Sequence, residues 1–313
     1  MTNTFHETLS ILDSSKISDY MCCPRRFMFR HVFGWSSNSF HLKFGERFHL
    51  AIEHCLIYGF DEENILKAMA LFAEDWPDDY ESSDKPKNLV SAYQALQQYG
   101  KKYAEEELTT IQTEIGGLVP ISKTRKLAFK IDALVKDKNG FFWALEHKTG
   151  SRNNIIWETQ WFNRYQLHCY LHALNMAFPV EKVRGVIVNG IFFLKKSQDF
   201  NRIKIVHSNE MQLLYLDEIN YWIDLLQQDL EVFAQSDDKS QVLRCFSRKP
   251  DYCTSFNCVC PYFSVCAMCA NPLKLRDSNP LNMEIAYWNP LEKEVKMDFE
   301  ELKKEGEKHG RTT

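Results

Sequence analysis

The chain has 313 residues, 44 % of them hydrophobic and 26 % charged, a balance that excludes global disorder and describes a globular protein with a core of its own. No uninterrupted apolar run approaches the ~20 residues of a membrane span. The opening MTNTFHETLSILDSS lacks the basic start and apolar segment of a secretory signal, so a cytoplasmic, reducing location is expected and no membrane partner. A net charge of −4 gives no general basic footprint for nucleic acid, and the ten cysteines are not expected to pair as disulfides.

From Ser14 to about Glu107 the pattern is helical. Phe48, Ile52, Cys55 and Leu56 recur at helix spacing, as do Leu66, Met69, Leu71 and Phe72. A polar stretch, WPDDYESSDKPKN, precedes a further helix at about Leu89–Leu108. Strands follow at Thr110–Pro120, Lys126–Val135 and Phe141–Lys148, the last two joined by a polar turn carrying Asn139-Gly140. A helix is expected at about Thr159–Met176, then strands at Lys182–Lys195 and Ile203–His207. A long amphipathic helix at about Asn209–Ala234 comes next, with Ser208 placed to cap it. A cysteine-rich loop follows, and the tail after Asn271 holds a short strand at Glu284–Trp288 and a charged end, solvated helix or frayed. The expected organisation is one α/β unit over residues 1–270: a helical region (1–107), a core (108–207), and the long helix with its loop (208–270). The tail (271–313) stands outside it.

Cys253, Cys258, Cys260, Cys266 and Cys269 crowd into one loop, while Cys22 and Cys23 stand together before Pro24. Cys55 and Cys169 lie within helical patterns and are expected in the core. Bunched thiols in a reducing compartment point to zinc or an iron–sulfur cluster. Only Cys266 and Cys269 have Cys-x-x-Cys spacing, whereas zinc sites usually show two such pairs.

On the strand before the Asn-Gly turn, Leu127, Phe129, Ile131 and Ala133 share one face, which sends Asp132 to the other. On the strand after it, Glu146 and Lys148 are two apart and share a face. The hairpin therefore brings two carboxylates and an ammonium to one side of a sheet. Paired carboxylates suit Mg²⁺ or Mn²⁺, and an adjacent lysine suits stabilisation of charge developing on a phosphate.

Four separated segments and the closing loop resemble, in order, the RecB-like branch of the PD-(D/E)XK nuclease superfamily. SKISDYMCCPRRFMFRHVFGW resembles its Ser-x-x-x-x-x-x-x-Cys-Pro helix, and FGERFHLAIE its Gly-x-x-x-His helix. KIDALVKDKNGFFWALEHKTG resembles its Asp strand and (Asp/Glu)-x-Lys-Thr-Gly strand. QLHCY resembles its Gln-x-x-x-Tyr helix, with Gln166 and Tyr170 one turn apart. CTSFNCVCPYFSVC resembles the loop of iron–sulfur members, which include AddB-type recombination nucleases, CRISPR-adaptation exonucleases and phage proteins.

The resemblance implies a restriction-endonuclease-like α/β fold: a central mixed sheet flanked by helices, a helical N-terminal elaboration and a C-terminal cysteine loop. It implies His49, Asp132 and Glu146 as ligands of Mg²⁺ or Mn²⁺, with the His147 carbonyl as a fourth, and Lys148 as catalytic lysine. It implies Gln166 and Tyr170 at the DNA backbone and Glu114 as an auxiliary acid. A [4Fe–4S] cluster would join Cys23 to Cys253, Cys260 and Cys266, with Cys22 or Cys258 as alternative ligands. Two departures stand out: Glu146 replaces the commoner aspartate, and His147 occupies a usually apolar position, where a ring facing the site would titrate near neutral pH.

The function expected is a metal-dependent DNA nuclease, an exonuclease on single strands or ends, in recombination, repair or phage/CRISPR DNA processing. The alternative is a DNA-binding or assembly subunit that recruits a helicase or recombinase, since the sequence has no phosphate-binding Gly-rich loop of its own. Self-association is left open. Local DNA contacts are expected from Arg25, Arg26 and Arg30, from Lys123, Arg125 and Lys126, and from stacking on Phe33 and Trp35.

Overall fold

The computed structural model describes residues 5–36, 40–77, 85–255, 258–292 and 294–310. Much of the polar stretch after Trp76, the Phe256-Asn257 step of the cysteine loop and the last three residues lie outside them. The chain forms α1 (Ser14–Cys22), α2 (Pro24–Phe27) running into a π-turn, β1 (Trp35–Ser36), α3 (Phe40–Tyr58), α4 (Glu62–Ala73) and α5 (Leu89–Lys102). Then come β2 (Leu108–Pro120), β3 (Lys126–Asp137), β4 (Phe142–Gly150), α6 (Ile155–Thr159), α7 (Tyr165–Ala177), β5 (Val183–Phe193) and β6 (Gln198–Ile205). α8 (Asn209–Ala234), α9 (Phe263–Met268), β7 (Glu284–Ile285), β8 (Met297–Asp298) and α10 (Phe299–Glu307) complete it.

The result is an α/β fold with a six-stranded mixed sheet in the order β6-β5-β4-β3-β2-β8, flanked by helices. β3 and β4 pair antiparallel across the Asn-Gly turn, from Lys136↔Phe142 to Ala133↔Leu145. β4 and β5 run parallel, and β5 and β6 antiparallel. Two compact units interleave along the chain: residues 1–38, 118–128 and 209–293 form one, and 39–117, 129–208 and 294–313 the other.

In the second unit, α3, α4 and α5 bury Phe44, Phe48, Phe72 and Leu96 against Phe193 of β5. Asn88 starts α5 with a reciprocal cap: Ser91 N donates to Asn88 Oδ1 at 2.8 Å and Asn88 N to Ser91 Oγ at 3.0 Å. The helix expected at Thr159–Met176 is split. Asn154 Oδ1 accepts from Trp157 N at 2.9 Å and starts α6 early, and α7 begins only after extended Arg164. β6 starts five residues before the expected strand, because Phe193↔Gln198 opens an antiparallel hairpin with β5. Pairing with a neighbour there outweighs the polar composition of the segment.

Of the two readings of the charged end the helix holds, over Phe299–Glu307, and one face of it is packed rather than solvated. β8 adds to the sheet beside β2 through Ile115↔Met297. Asp298 and Glu301 cap α10 reciprocally, at 2.8 and 2.9 Å, while Phe299 and Leu302 are buried. Gly306 lets α10 approach α7 so closely that a Cβ there would collide with the Ala177 carbonyl.

In the first unit, Phe29 stacks between Trp35 (5.3 Å) and Tyr262 (5.2 Å). The Tyr262 hydroxyl donates to the Trp35 carbonyl at 2.6 Å, which fastens the cysteine loop to the N-terminal segment. Burial of such large rings carries much of a small core's stabilisation.

Candidate functional site

Asp132 on β3 and Glu146 on β4 continue the two paired strands just beyond the last registered pair. Asp132 Oδ2 accepts the His147 backbone N–H at 2.7 Å and faces the His147 ring Nδ1 at 3.6 Å. From α3, His49 Nδ1 lies 3.5 Å from Asp132 Oδ1. Lys148 Nζ contacts Glu146 Oε1, and Gln166 Nε2 on α7 donates to the same oxygen at 3.0 Å. Lys148 also donates to Gln166 Oε1 at 3.2 Å, while Gln166 Nε2 donates to the Tyr170 hydroxyl at 2.7 Å. Trp161, in the α6–α7 connection, lies beneath Lys148, its ring centroid 5.5 Å from Nζ. Thus His49, Asp132, Glu146, Lys148, Gln166 and Tyr170, drawn from four elements, come together in one unit.

Electrostatics distinguish the two carboxylates. Burial would raise the Asp132 carboxyl, but His49 and His147 hold it well below the usual carboxylate range. Burial and the neighbouring Asp132 charge push Glu146 upward, against the pull of Lys148. Burial would lower His49, yet its side chain keeps 30 % exposure, and the Asp132 charge raises it instead. Burial dominates at His147 and lowers it, so its ring stays neutral near pH 7 rather than titrating there. Burial and then Glu146 raise the Tyr170 hydroxyl well above its ordinary value.

Glu114 stands one strand away, with φ 51° and an ion pair to Lys130. It lines a small cavity with His49, Glu53, Asp132 and His147. Burial raises its carboxyl. Two residues of this rim escaped the sequence reading. Glu53 Oε1 accepts from Thr113 Oγ1 at 2.8 Å and pairs with Lys296 at 2.7 Å. Glu53 lies one helical turn past His49, a usable signal; Lys296, from the tail, gave none.

Among the described residues no three His, Cys, Asp or Glu side chains are already arranged to hold a metal ion. The fit therefore rests on donor chemistry. Two carboxylates and an imidazole are the right ligands for Mg²⁺ or Mn²⁺. Glu146 Oε2 is buried with no hydrogen-bond partner, a costly state that a cation would relieve.

In the first unit, Cys23, Cys253, Cys260 and Cys266 line one cavity of about 170 Å³. Cys22, Cys258 and Cys269 do not line it. Room for several waters, at ~30 Å³ each, suits a polynuclear group better than a single ion. Four thiols around such a space are the donor set of an iron–sulfur cluster. Arg25, Arg26, Arg248 and Lys249 share the wall, cations suited to an anionic centre.

The expected DNA contacts fare unevenly. Arg25 is only 5 % exposed, its Nε donating to the Phe246 carbonyl at 2.8 Å, so burial holds it in the cysteine cavity and away from a phosphate surface. Phe33 and Trp35 are core residues with no free face for a base. Arg26 and Arg30 are part-exposed and pair with Asp19 at 3.4 and 2.9 Å. Arg125 is tied to Asp224 and Gln227. Lys123 and Lys126 are exposed.

The ordered motifs and this geometry agree with the family comparison, in which a sequence profile of the PD-(D/E)XK nuclease superfamily matches residues 13–267. The chain belongs to the PD-(D/E)XK nuclease superfamily. No protein of curated function matches it. Among solved structures it is similar to a presumed exonuclease from Eubacterium rectale at 13 % identity and a TM-score of 0.39. That match covers 74 % of this chain and 84 % of the other. It is also similar to a protein called SSO0001 at 13 % identity and a TM-score of 0.26, covering 61 % and 76 % of the two chains. Likenesses this distant carry no argument about activity. No helix among the described residues is long and apolar enough to cross a membrane.

Proposed function

We propose that the protein is a metal-dependent deoxyribonuclease, an exonuclease on single-stranded DNA or DNA ends, with a structural [4Fe–4S] cluster. The observation that carries this reading is Glu146: a buried carboxylate beside Asp132, one oxygen held by Lys148 and Gln166, the other without a partner. His49, Asp132 and Glu146 would hold Mg²⁺ or Mn²⁺, with the His147 carbonyl close by. A bound divalent ion supplies Lewis-acid polarisation and lowers the pKa of water. Lys148 presents an ammonium, steadied by Gln166, to a phosphate oxygen where charge develops. Tyr170, kept protonated at neutral pH, remains a hydrogen-bond donor for the DNA backbone.

Cys23, Cys253, Cys260 and Cys266 would hold the cluster, closing a loop of some 230 residues and restricting the unfolded chain accordingly.

The test is an anaerobic preparation given Mg²⁺ or Mn²⁺ and end-labelled single- and double-stranded DNA. Wild type should cleave, and Glu146→Gln and Lys148→Ala should lose cleavage by on the order of 100-fold or more. Undiminished cleavage by Lys148→Ala would overturn the assignment. Persistent binding without cleavage by wild type would favour an assembly subunit that works with a helicase or recombinase.

A further inference from the structure

Beside the candidate site, a row of polar side chains crosses the sheet. In the β4–β5 register His147 stands opposite Asn189, and in the β5–β6 register Asn189 stands opposite Arg202. Residues paired across neighbouring strands put their side chains on the same face, so the three form a line. His147 and Asn189 are each 1 % exposed, and Tyr99 of α5, at 3 %, covers the row. The outer end is anchored, since Arg202 pairs with Glu106 and its guanidinium lies 3.7 Å from the Tyr103 ring centroid.

The donors and acceptors along this line allow one arrangement. An arginine has no acceptor, so Asn189 must turn Oδ1 to the Arg202 Nε–H. Its amide nitrogen then faces inward, donating to the Tyr99 hydroxyl at 2.9 Å and facing His147 Nε2 at 3.3 Å. That hydroxyl also accepts from Arg202 at 2.7 Å, which leaves its own proton for His147 Nε2, 3.5 Å away. Burial keeps this proton in place by pushing the Tyr99 hydroxyl up to about 12. With only donors facing it, Nε2 is the unprotonated nitrogen. The ring proton then sits on Nδ1, which faces Asp132 Oδ2 at 3.6 Å.

We infer that Asn189 and Arg202 are positioning residues: acting through His147, they fix the tautomer that holds the Asp132 carboxylate in place for a divalent cation. They touch neither metal nor substrate. The inference rests on the metal site proposed above, and it places part of that site's precision on β5 and β6, which contribute no proposed ligand. Outer groups that orient a metal-binding carboxylate commonly change metal affinity 10–100-fold when replaced.

Asn189→Asp keeps the side chain's shape and reverses its hydrogen-bond polarity. An aspartate accepts on both oxygens and puts a proton on His147 Nε2. With Asp132 at Nδ1 the ring then carries both protons, and its positive charge replaces the neutral tautomer and opposes a cation beside it. Arg202 alongside welcomes the new charge, so the melting temperature should hold. Mn²⁺ affinity, read by electron paramagnetic resonance with the metal alone, should fall tenfold or more. Arg202→Gln frees the Asn189 amide to turn over and should weaken Mn²⁺ several-fold, a second reading should the aspartate variant not fold. Wild-type Mn²⁺ affinity in either folded variant would overturn the inference. Equal Mn²⁺ binding by wild type and Asp132→Asn would instead overturn the metal site itself.

Discussion

Replacing Lys148 by methionine removes the ammonium from Glu146 and keeps the length of the side chain. The Glu146 side chain is 3 % exposed, and it keeps the Gln166 Nε2 donor at 3.0 Å with the Tyr170 hydroxyl beside it. Removing one member of a buried ion pair costs about 3–5 kcal/mol. The 28 % exposure of Lys148 and the surviving Gln166 bond moderate that figure. Protonation sets a ceiling as well. Neutralising an ordinary glutamate of pKa 4.5 at pH 7 costs about 3.4 kcal/mol, and Glu146, already raised by burial and Asp132, costs less. A loss of about 2 kcal/mol is therefore expected for Lys148→Met. Glu146→Gln alone relieves the repulsion with Asp132 and should change stability by less than ~1 kcal/mol. The double variant should return close to wild type, giving a coupling of about 2 kcal/mol. The assay is urea unfolding at pH 7 with chelator present, following the transition of the unit that carries the site. The Lys148→Met deficit should also shrink as pH falls from 7 toward 5, because the stranded carboxylate then takes up its proton. Additivity of the two single changes within ~0.5 kcal/mol would refute the reasoning.

Stability should also depend on pH through His168, which burial and the stacked His207 ring lower from 6.5 to about 4. The unfolded chain binds the proton first, so this contribution is complete above about pH 6.5 and is lost as pH falls toward 4; His168→Gln should flatten that limb in acid titrations followed by circular dichroism. Gly306→Ala should destabilise by roughly 1–3 kcal/mol through collision with the Ala177 carbonyl, although alanine is the better helix former; a raised denaturation midpoint would contradict the α7–α10 packing. Cys23→Ser, Cys253→Ser, Cys260→Ser and Cys266→Ser should each lower iron and sulfide per chain, whereas Cys22→Ser, Cys258→Ser and Cys269→Ser should not, since these three stand outside the cavity; a colourless wild-type protein would remove the iron–sulfur reading.

The carboxylates and lysine carried by one hairpin were legible from spacing alone. The period of two places Asp132 opposite the apolar face of β3 and sets Glu146 and Lys148 on one side of β4, while the helical period aligns Gln166 with Tyr170. Family resemblance added His49, Gln166 and Tyr170 and chose four ligands among the crowded cysteines, but spacing could not separate Cys22 from Cys23 or Cys258 from its neighbours. Charge on a helix near the N-terminus likewise looked available for DNA until packing buried Arg25 at the cysteine cavity. In the tail the short strand at Glu284 and a charged terminal helix were legible, whereas β8 emerged only once β2 offered it an edge, and α7 supplied the face on which α10 packs.

What the sequence by itself determined is therefore the local chemistry: two carboxylates and a lysine on a hairpin, a glutamine–tyrosine pair on a helix, and thiols crowded near both ends. The tertiary structure decided which thiols share a cavity. It also placed around Asp132 the pairs Glu53–Lys296 and Glu114–Lys130 and the row from Arg202 through Asn189 to His147. The physical reason is range. Periodicity fixes the direction of a side chain within its own element. Neighbours on different strands meet only through a pairing register, and in this sheet that register joins residues as far apart as Ile115 and Met297.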